Sequence, residues 1–178
     1  MKIWVSPLCR VHEVAAEAGA VRAISLLSPK DIFPTLERVP TDFHHKAAMH
    51  DIREPSADLT PPGHGHVEEI IHFLNDWSVN DTLIIHCWAG VSRSTATAFT
   101  AACLKNPSVD ETIIAHSLRA ASPTAWPNSR LVGFADDILG RSGRMSRAIE
   151  EIGVGAPTLE AEPFFIPAHY ETADASTH

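Results

Sequence analysis

Short apolar runs of about strand length alternate with stretches of helical spacing along the first half of the chain. This alternation predicts a parallel sheet whose strands are joined by crossover helices. The predicted strands are residues 3–5, 21–27, 46–50 and 82–86. The predicted helices are residues 6–18, which Gly19 would end, and a second one that starts at Thr60-Pro61 and carries an apolar face of Val67, Ile70, Ile71 and Leu74.

The second half of the chain is helical in pattern. Small residues at 95–102 favour a helix directly after the fourth strand, and Ser108 to Glu111 has the sequence of a capping box for a helix that runs to Ala121. Asn128 would cap a helix that ends at Gly140, and a short helix is predicted at 144–152. We therefore expect an α/β fold with three α/β/α layers, in which a small, mostly parallel sheet is flanked by helices and the C-terminal part is helical.

The length of 178 residues fits one domain, which we place at residues 1–155. Residues 156–178 contain several prolines and are expected to form an irregular extension. Its apolar run at 163–167 could pack back on the domain or contact a partner. The last residues, 171–178, are expected to be disordered.

Composition narrows the class of protein further. A hydrophobic content of 44% and a charged content of 20% are typical of a soluble globular domain. The net charge of −8, without any run of Lys or Arg, argues against nucleic acid and anionic membranes as partners. No apolar stretch approaches the roughly 20 residues of a membrane span. Three cysteines form no disulfide framework, so we expect a reducing, cytoplasmic location.

The segment from His86 to Ser94 carries the candidate chemistry. Five residues separate Cys87 from Arg93, between a predicted strand and a predicted helix. Backbone N–H groups of such a loop and the helix dipole can hold an anion, and a guanidinium matches two phosphate oxygens at once. The helix start and Arg93 would favour the Cys87 thiolate, and the Ser94 hydroxyl could donate toward the sulfur. Gly90 allows a close approach of the backbone to a ligand, or a positive φ.

This segment resembles the Cys-x5-Arg-Ser/Thr signature of the protein tyrosine phosphatase superfamily, and its Ala-Gly-Val-Ser-Arg-Ser ending is closest to the dual-specificity branch. The resemblance extends from about Met1 to about Gly140. It implies that Cys87 is the nucleophile of a phosphocysteine mechanism, that Arg93 binds phosphate, that Ser94 eases departure of the thiolate, and that His86 orients Cys87. The implied phosphate-binding residues are Cys87, Trp88, Ala89, Gly90, Val91, Ser92 and Arg93.

The same family uses an aspartate upstream of the cysteine as general acid, and two residues compete for this role. Asp51 follows the predicted strand 46–50, and ligand sites in parallel sheets gather at the carboxyl ends of strands. Asp58 begins Asp-Leu-Thr-Pro-Pro, which is similar to the acid loop of some family members. We favour Asp51 slightly, because a strand end fixes a side chain better than a loop does. Glu54 is a weaker third candidate.

Histidines and one tryptophan have alternative interpretations. Eleven histidines include His44-His45, His50 and His64-Gly65-His66, but no set has the spacing of a closed metal site. We expect no metal and no cofactor, since thiolate chemistry needs neither. Trp88 could line the pocket or pack beneath the fold.

These observations predict a cysteine-dependent phosphomonoester hydrolase. Its substrates would be phosphorylated proteins or small phosphomonoesters, with phosphotyrosine first and phosphoserine and phosphothreonine as further candidates. Phosphoinositides are disfavoured, because no lysine lies between Cys87 and Arg93. The alternative is a phosphate-binding module that does not turn over, a pseudophosphatase. A thiol redox or sulfurtransferase-like protein ranks third, and the sequence leaves the oligomeric state open.

Overall fold

The computed structural model describes residues 1–171 and is built on one five-stranded sheet. The strands stand in the order β3-β2-β4-β1-β5, with β4 in the centre. The first four are mutually parallel, and β5 is antiparallel to β1. The strands are β1 Lys2–Pro7, β2 Arg22–Leu27, β3 His44–Ala48, β4 Leu83–Cys87 and β5 Phe164–Pro167.

Helices cover both faces of this sheet, which confirms the predicted α/β fold with a mostly parallel sheet. One face packs on the first helix through a small apolar cluster that includes Val11, Val14 and Ile84. The other face carries the larger core, at whose centre the third helix is buried from Arg93 to Cys103. The helices are α1 Val11–Ala18, α2 His64–Asn75, α3 Arg93–Lys105, α4 Glu111–Ala121, α5 Ser129–Ile138 and α6 Arg144–Ile152.

The prediction of a helix from residue 6 was wrong at its start. Ser6 and Pro7 continue β1 and pair with His86 and Cys87, so β1 runs as far as the central strand does. A short 3-10 turn, Leu8–Arg10, then leads into α1. Pro7 has an extended ψ of 160°, and the helix does end at Gly19, whose φ of +63° is left-handed.

Other boundaries also differ from the predictions. Strand β3 covers 44–48 rather than 46–50, because residues 44–48 pair with residues 23–27 of β2. Helix α2 starts at His64 rather than at Thr60-Pro61, since the residue before a proline avoids helical geometry. Helix α4 is capped by Asp110, which accepts from the Thr112 N–H, and not by Ser108.

The segment predicted to be irregular contains a strand. Phe164–Pro167 forms β5 and pairs with residues 2–5 of β1, so this apolar run packs back on the sheet. Disorder was predicted for residues 171–178. Residues 172–178 lie outside the described part of the chain. The longest helix has 13 residues, and within residues 1–171 none is long and apolar enough to cross a membrane.

Candidate functional site

The candidate nucleophile lies at the carboxyl end of the central strand. Cys87 is the last residue of β4, pairs with Pro7 of β1 and Leu26 of β2, and is 1% exposed. Its Sγ is 3.0 Å from Oγ of Ser94, which lies in the first turn of α3. The sulfur is therefore close to the positive end of the α3 dipole and to a hydroxyl that can donate to it.

N–H groups from other segments of the chain donate hydrogen bonds to carbonyl groups of the loop between β4 and α3, residues 88–92. The Trp88 carbonyl accepts from the Leu8 N–H at 3.0 Å, and the Val91 carbonyl accepts from the Trp126 N–H at 2.9 Å. The Ala89 carbonyl accepts from the Ala161 N–H at 2.8 Å. In a trans peptide the following N–H points the opposite way. The N–H groups of residues 89, 90 and 92 therefore point away from these three donors, and N–H groups of such a loop can donate to an anion.

Gly90 has the positive φ that the sequence suggested, and its backbone also packs closely on another part of the protein. Its φ is +72°, and a Cβ at this position would lie 2.8 Å from N of Pro7 and 3.0 Å from C of Ser6. The loop thus packs directly on the end of β1. A side chain at position 90 would push the loop away from that strand.

Arg93 is buried at the rim of the loop with only part of its guanidinium engaged. It is 4% exposed, and its Nη1 donates to the Met49 carbonyl at 2.6 Å. Its Nε is buried and finds no acceptor among residues 1–171. A buried donor without a partner is costly, so this geometry suits an anion that supplies the missing acceptor.

Asp51 lies beside this arginine. Its Oδ1 accepts from Oγ of Ser92 at 2.7 Å and from Nδ2 of Asn128 at 2.8 Å, and its Oδ2 is 3.7 Å from Nε of Arg93. Asn128 is fully buried, and its Oδ1 caps α5 by accepting from the N–H groups of Arg130 and Leu131. Because the cap turns the amide oxygen toward α5, the NH2 group faces Asp51.

The loop that carries Asp51 is closed at its base. The His50 N–H donates to the Thr60 carbonyl at 2.8 Å, and the Thr60 N–H donates to Nδ1 of His50 at 2.9 Å. Asp58 is exposed in a turn between these two residues, and Glu54 is exposed as well. Of these three acidic candidates, the structure brings Asp51 to the loop of Cys87.

A cavity of about 370 Å³ lies at this edge of the sheet. Trp88 forms part of its wall and is 56% exposed, so it lies on the pocket side rather than beneath the fold. Sequence reasoning missed Asp31, whose Oδ2 accepts from the Ser28 N–H at 2.9 Å. The available signal was its position just after β2, a neighbour of the central strand. The lining residues are Ser28, Asp31, Asp51, Trp88, Ala89 and Arg93.

His86 belongs to a buried chain of hydrogen bonds that crosses three strands. Its Nε2 is 2.6 Å from Oγ of Ser25, which is 2.7 Å from Nε2 of His44. Burial lowers the pKa of His86 to about 3 and the pKa of His44 to about 4. Both rings are therefore neutral near pH 7. The Ser25 hydroxyl can then accept from one ring and donate to the other.

Several other histidines have local structural contacts. Nδ1 of His66 accepts from the Gly63 N–H at the start of α2, and Nδ1 of His64 is 3.3 Å from Glu68. Across the 171 residues that the structure covers, no group of three or more His, Cys, Asp or Glu side chains is placed to hold a metal ion.

This fold is similar to that of solved phosphatases. A crystal structure of DUSP15, a dual-specificity phosphatase, matches with a TM-score of 0.59 at 19% identity, over 84% of this chain and 90% of that one. Human DUSP28 matches with a TM-score of 0.57 at 17% identity, over 78% of this chain and 94% of that one. The PTP-2 phosphatase of Cydia pomonella matches with a TM-score of 0.57 at 18% identity, over 76% of this chain and 84% of that one.

Searches with family models and among curated proteins find no match to this sequence. At identities below 20% the structural likeness is one of fold. The chain therefore has the fold of the dual-specificity phosphatases, as the resemblance of its loop predicted.

Proposed function

We propose that this protein is a cysteine-dependent phosphomonoester hydrolase that works through a phosphocysteine intermediate. The observation that carries the proposal is the buried Arg93, whose Nε has no acceptor within residues 1–171 and lies 3.7 Å from Asp51 at the cavity lined by both residues. A phosphate group would supply that acceptor and would also accept hydrogen bonds from the N–H groups of residues 89, 90 and 92. Positioning and charge stabilisation of this kind account for most of phosphoryl-transfer catalysis.

In the first step the Cys87 thiolate attacks phosphorus in line with the ester oxygen. A P–S bond forms, the P–O bond breaks, and the electron pair leaves with the ester oxygen, which takes a proton from Asp51. Oδ1 of Asp51 already accepts two hydrogen bonds, so the proton would sit on Oδ2, the oxygen nearer Arg93. The position of Asp51 at the cavity, which Asp58 does not line, supports Asp51 over Asp58 as the general acid.

In the second step water hydrolyses the phosphocysteine. Asp51, now ionised, accepts a proton from the water, whose oxygen forms the new P–O bond as the P–S bond breaks. The sulfur leaves as a thiolate, and the Ser94 hydroxyl at 3.0 Å can donate to it. His86, one residue before Cys87 and hydrogen-bonded to Ser25, would orient the strand end that carries the sulfur.

The residues around the cavity support phosphotyrosine as the first candidate substrate. The loop interior from Trp88 to Ser92 carries no charge, and the exposed Trp88 ring offers a flat apolar surface beside the phosphate position. Phosphotyrosine fits this surface best, because aromatic rings pack favourably on each other. Phosphoserine and phosphothreonine are the next candidates.

The test is hydrolysis of p-nitrophenyl phosphate by the purified protein under reducing conditions. We expect activity that vanadate inhibits and that Cys87→Ser abolishes. Cys9→Ser is the matched control, because Cys9 is exposed and its neighbour Glu160 can accept from a serine hydroxyl equally well. An inactive wild-type protein that still binds a phosphopeptide would replace this proposal with the non-hydrolysing phosphate-binding module.

A further inference from the structure

A segment near the C-terminus lies beside the loop at residues 88–92 and donates a hydrogen bond to it. Here we call residues 88–92 the phosphate loop. We call residues 156–168 the C-terminal strap. The Ala161 N–H, in the middle of the strap, donates to the Ala89 carbonyl at 2.8 Å, and Ala161 itself is 5% exposed. This contact joins the strap to the one stretch of the chain that carries the candidate nucleophile.

The strap is fastened on both sides of this contact. At its start, the Ala156 N–H donates to the Pro123 carbonyl at 2.9 Å. The preceding Gly155 packs so closely that a Cβ there would lie 2.5 Å from the Thr124 carbonyl oxygen. At its end, β5 pairs with β1 and the Ala168 N–H donates to the Met1 carbonyl at 3.0 Å. Ala161 is therefore held between two anchored ends.

Two side-chain contacts hold the strap near position 161 as well. Nη1 of Arg10 donates to Glu162 at 2.9 Å, and Sγ of Cys9 donates to Glu160 at 3.1 Å. Arg10 and Cys9 both belong to the turn Leu8–Arg10, and Gly90 packs on the end of β1 directly before this turn. The turn, the strap and the loop thus form one connected unit.

The effect on the loop follows from peptide geometry. The Ala89 carbonyl and the Gly90 N–H belong to the same planar trans peptide, so they point in opposite directions. Gly90 has a positive φ, a region in which glycine moves with little steric restraint. Without the outside donor to the Ala89 carbonyl, this peptide could rotate and turn that carbonyl oxygen toward the phosphate position, where it would repel the anion.

We propose that Ala161 is a positioning residue for the phosphate site: its N–H fixes the Ala89–Gly90 peptide so that the Gly90 N–H donates to a bound oxyanion. The proposal rests on the proposed function only in that the loop binds tetrahedral oxyanions. It extends the site to a segment that the loop motif does not include.

The test measures oxyanion binding rather than turnover. Ala161→Pro removes the N–H, whereas Ala161→Gly keeps it, and Leu159→Pro places a proline at a 94% exposed strap position as the control. The probe is tungstate, titrated by calorimetry. For Ala161→Pro we expect tungstate affinity to fall about 10-fold or more, as for a lost hydrogen bond to a charged group. Both controls should bind tungstate as the wild type does.

A second measurement covers the case in which Ala161→Pro does not fold. In the wild-type protein, binding that requires the oriented peptide must also strengthen the contact that orients it. Amide exchange of Ala161 should therefore slow in saturating tungstate. Unchanged exchange at Ala161, or wild-type affinity in a folded Ala161→Pro protein, would overturn the inference. Because tungstate binding needs no hydrolysis, a protein that binds tungstate without turnover contradicts the proposed hydrolase and leaves this test intact.

Discussion

At the scale of single residues, Asp51 is distinguished by what surrounds it rather than by its sequence context. Two donors, Ser92 and Asn128, hold one carboxylate oxygen, and the other faces Arg93. The sequence favoured Asp51 over Asp58 only slightly, because Asp51 follows a predicted strand whereas Asp58 begins a segment that resembles the acid loop of some family members. Asn128 was predicted as a helix cap and does cap α5, but its second contact, with Asp51, depends on long-range packing that no local pattern encodes.

Substitution of Asp51 tests the acid directly. We expect Asp51→Asn to lower kcat on phenyl phosphate, which has a poor leaving group, by about 10²–10⁴-fold, the usual contribution of general acid catalysis. The loss on p-nitrophenyl phosphate should be smaller, because that leaving group needs less protonation. Asp58→Asn is the matched control and should leave kcat unchanged. A larger loss for Asp58→Asn than for Asp51→Asn would assign the acid to position 58.

Gly90 gives a prediction about stability. We expect Gly90→Ala to lower the free energy of unfolding by at least about 1–2 kcal/mol, the cost of a side chain in left-handed geometry. Contact with Pro7 adds to that loss and displaces the loop, so tungstate affinity should fall as well. Gly133→Ala in the middle of α5 is the control: its Cβ would meet nothing within 4 Å, and alanine there should stabilise the protein by up to about 1 kcal/mol. Urea unfolding of both variants measures these changes. Equal changes in the free energy of unfolding for Gly90→Ala and Gly133→Ala would contradict the packing argument.

At the scale of secondary-structure elements, the sequence predicted which elements exist better than where they end. Short apolar runs located the four parallel strands, whereas capping residues, a run of small residues and one apolar face located the α-helices. The observed ends differ from the predicted ones where strand pairing or helix capping sets them. Strand β1 continues through Pro7, which pairs with β4, and β3 covers the residues that pair with β2. These are relations between distant segments, which periodicity within one segment cannot contain.

The chain His44–Ser25–His86 links β3, β2 and β4, and it predicts a pH dependence of stability. In the unfolded chain a histidine titrates near 6.5, whereas burial lowers the pKa of His86 to about 3 and that of His44 to about 4. Between pH 6.5 and 5 the unfolded state therefore binds protons that the folded state does not, so stability falls as the pH falls.

Urea unfolding between pH 6.5 and 5 measures this loss. We expect up to about 1.4 kcal/mol per pH unit from His86, and less from the more accessible His44. His86→Gln should flatten the dependence, while His169→Gln, at an exposed position, should keep the wild-type slope. A wild-type slope in His86→Gln would show that other groups control stability in this range.

At the scale of the whole molecule, the sequence predicted the α/β class and the resemblance of its loop to the phosphatase signature. It did not predict that residues 164–167 would close one edge of the sheet, because a four-residue strand between prolines lacks the length from which strand patterning is read. It also could not reveal the contact between residues 89 and 161. Main-chain hydrogen bonds of this kind leave no trace in side-chain identity.

Three of the residues that donate to carbonyl groups of the loop at residues 88–92 are at positions 8, 126 and 161, one near the start of the chain and two well beyond the loop. Contacts of such long sequence separation form late, because the entropy of closing the intervening chain must be offset first. During synthesis Cys87 emerges before residues 126 and 161 exist. A nascent or half-refolded chain thus carries the thiol without a finished loop, and the proposed chemistry would become available only when the last of these contacts has formed.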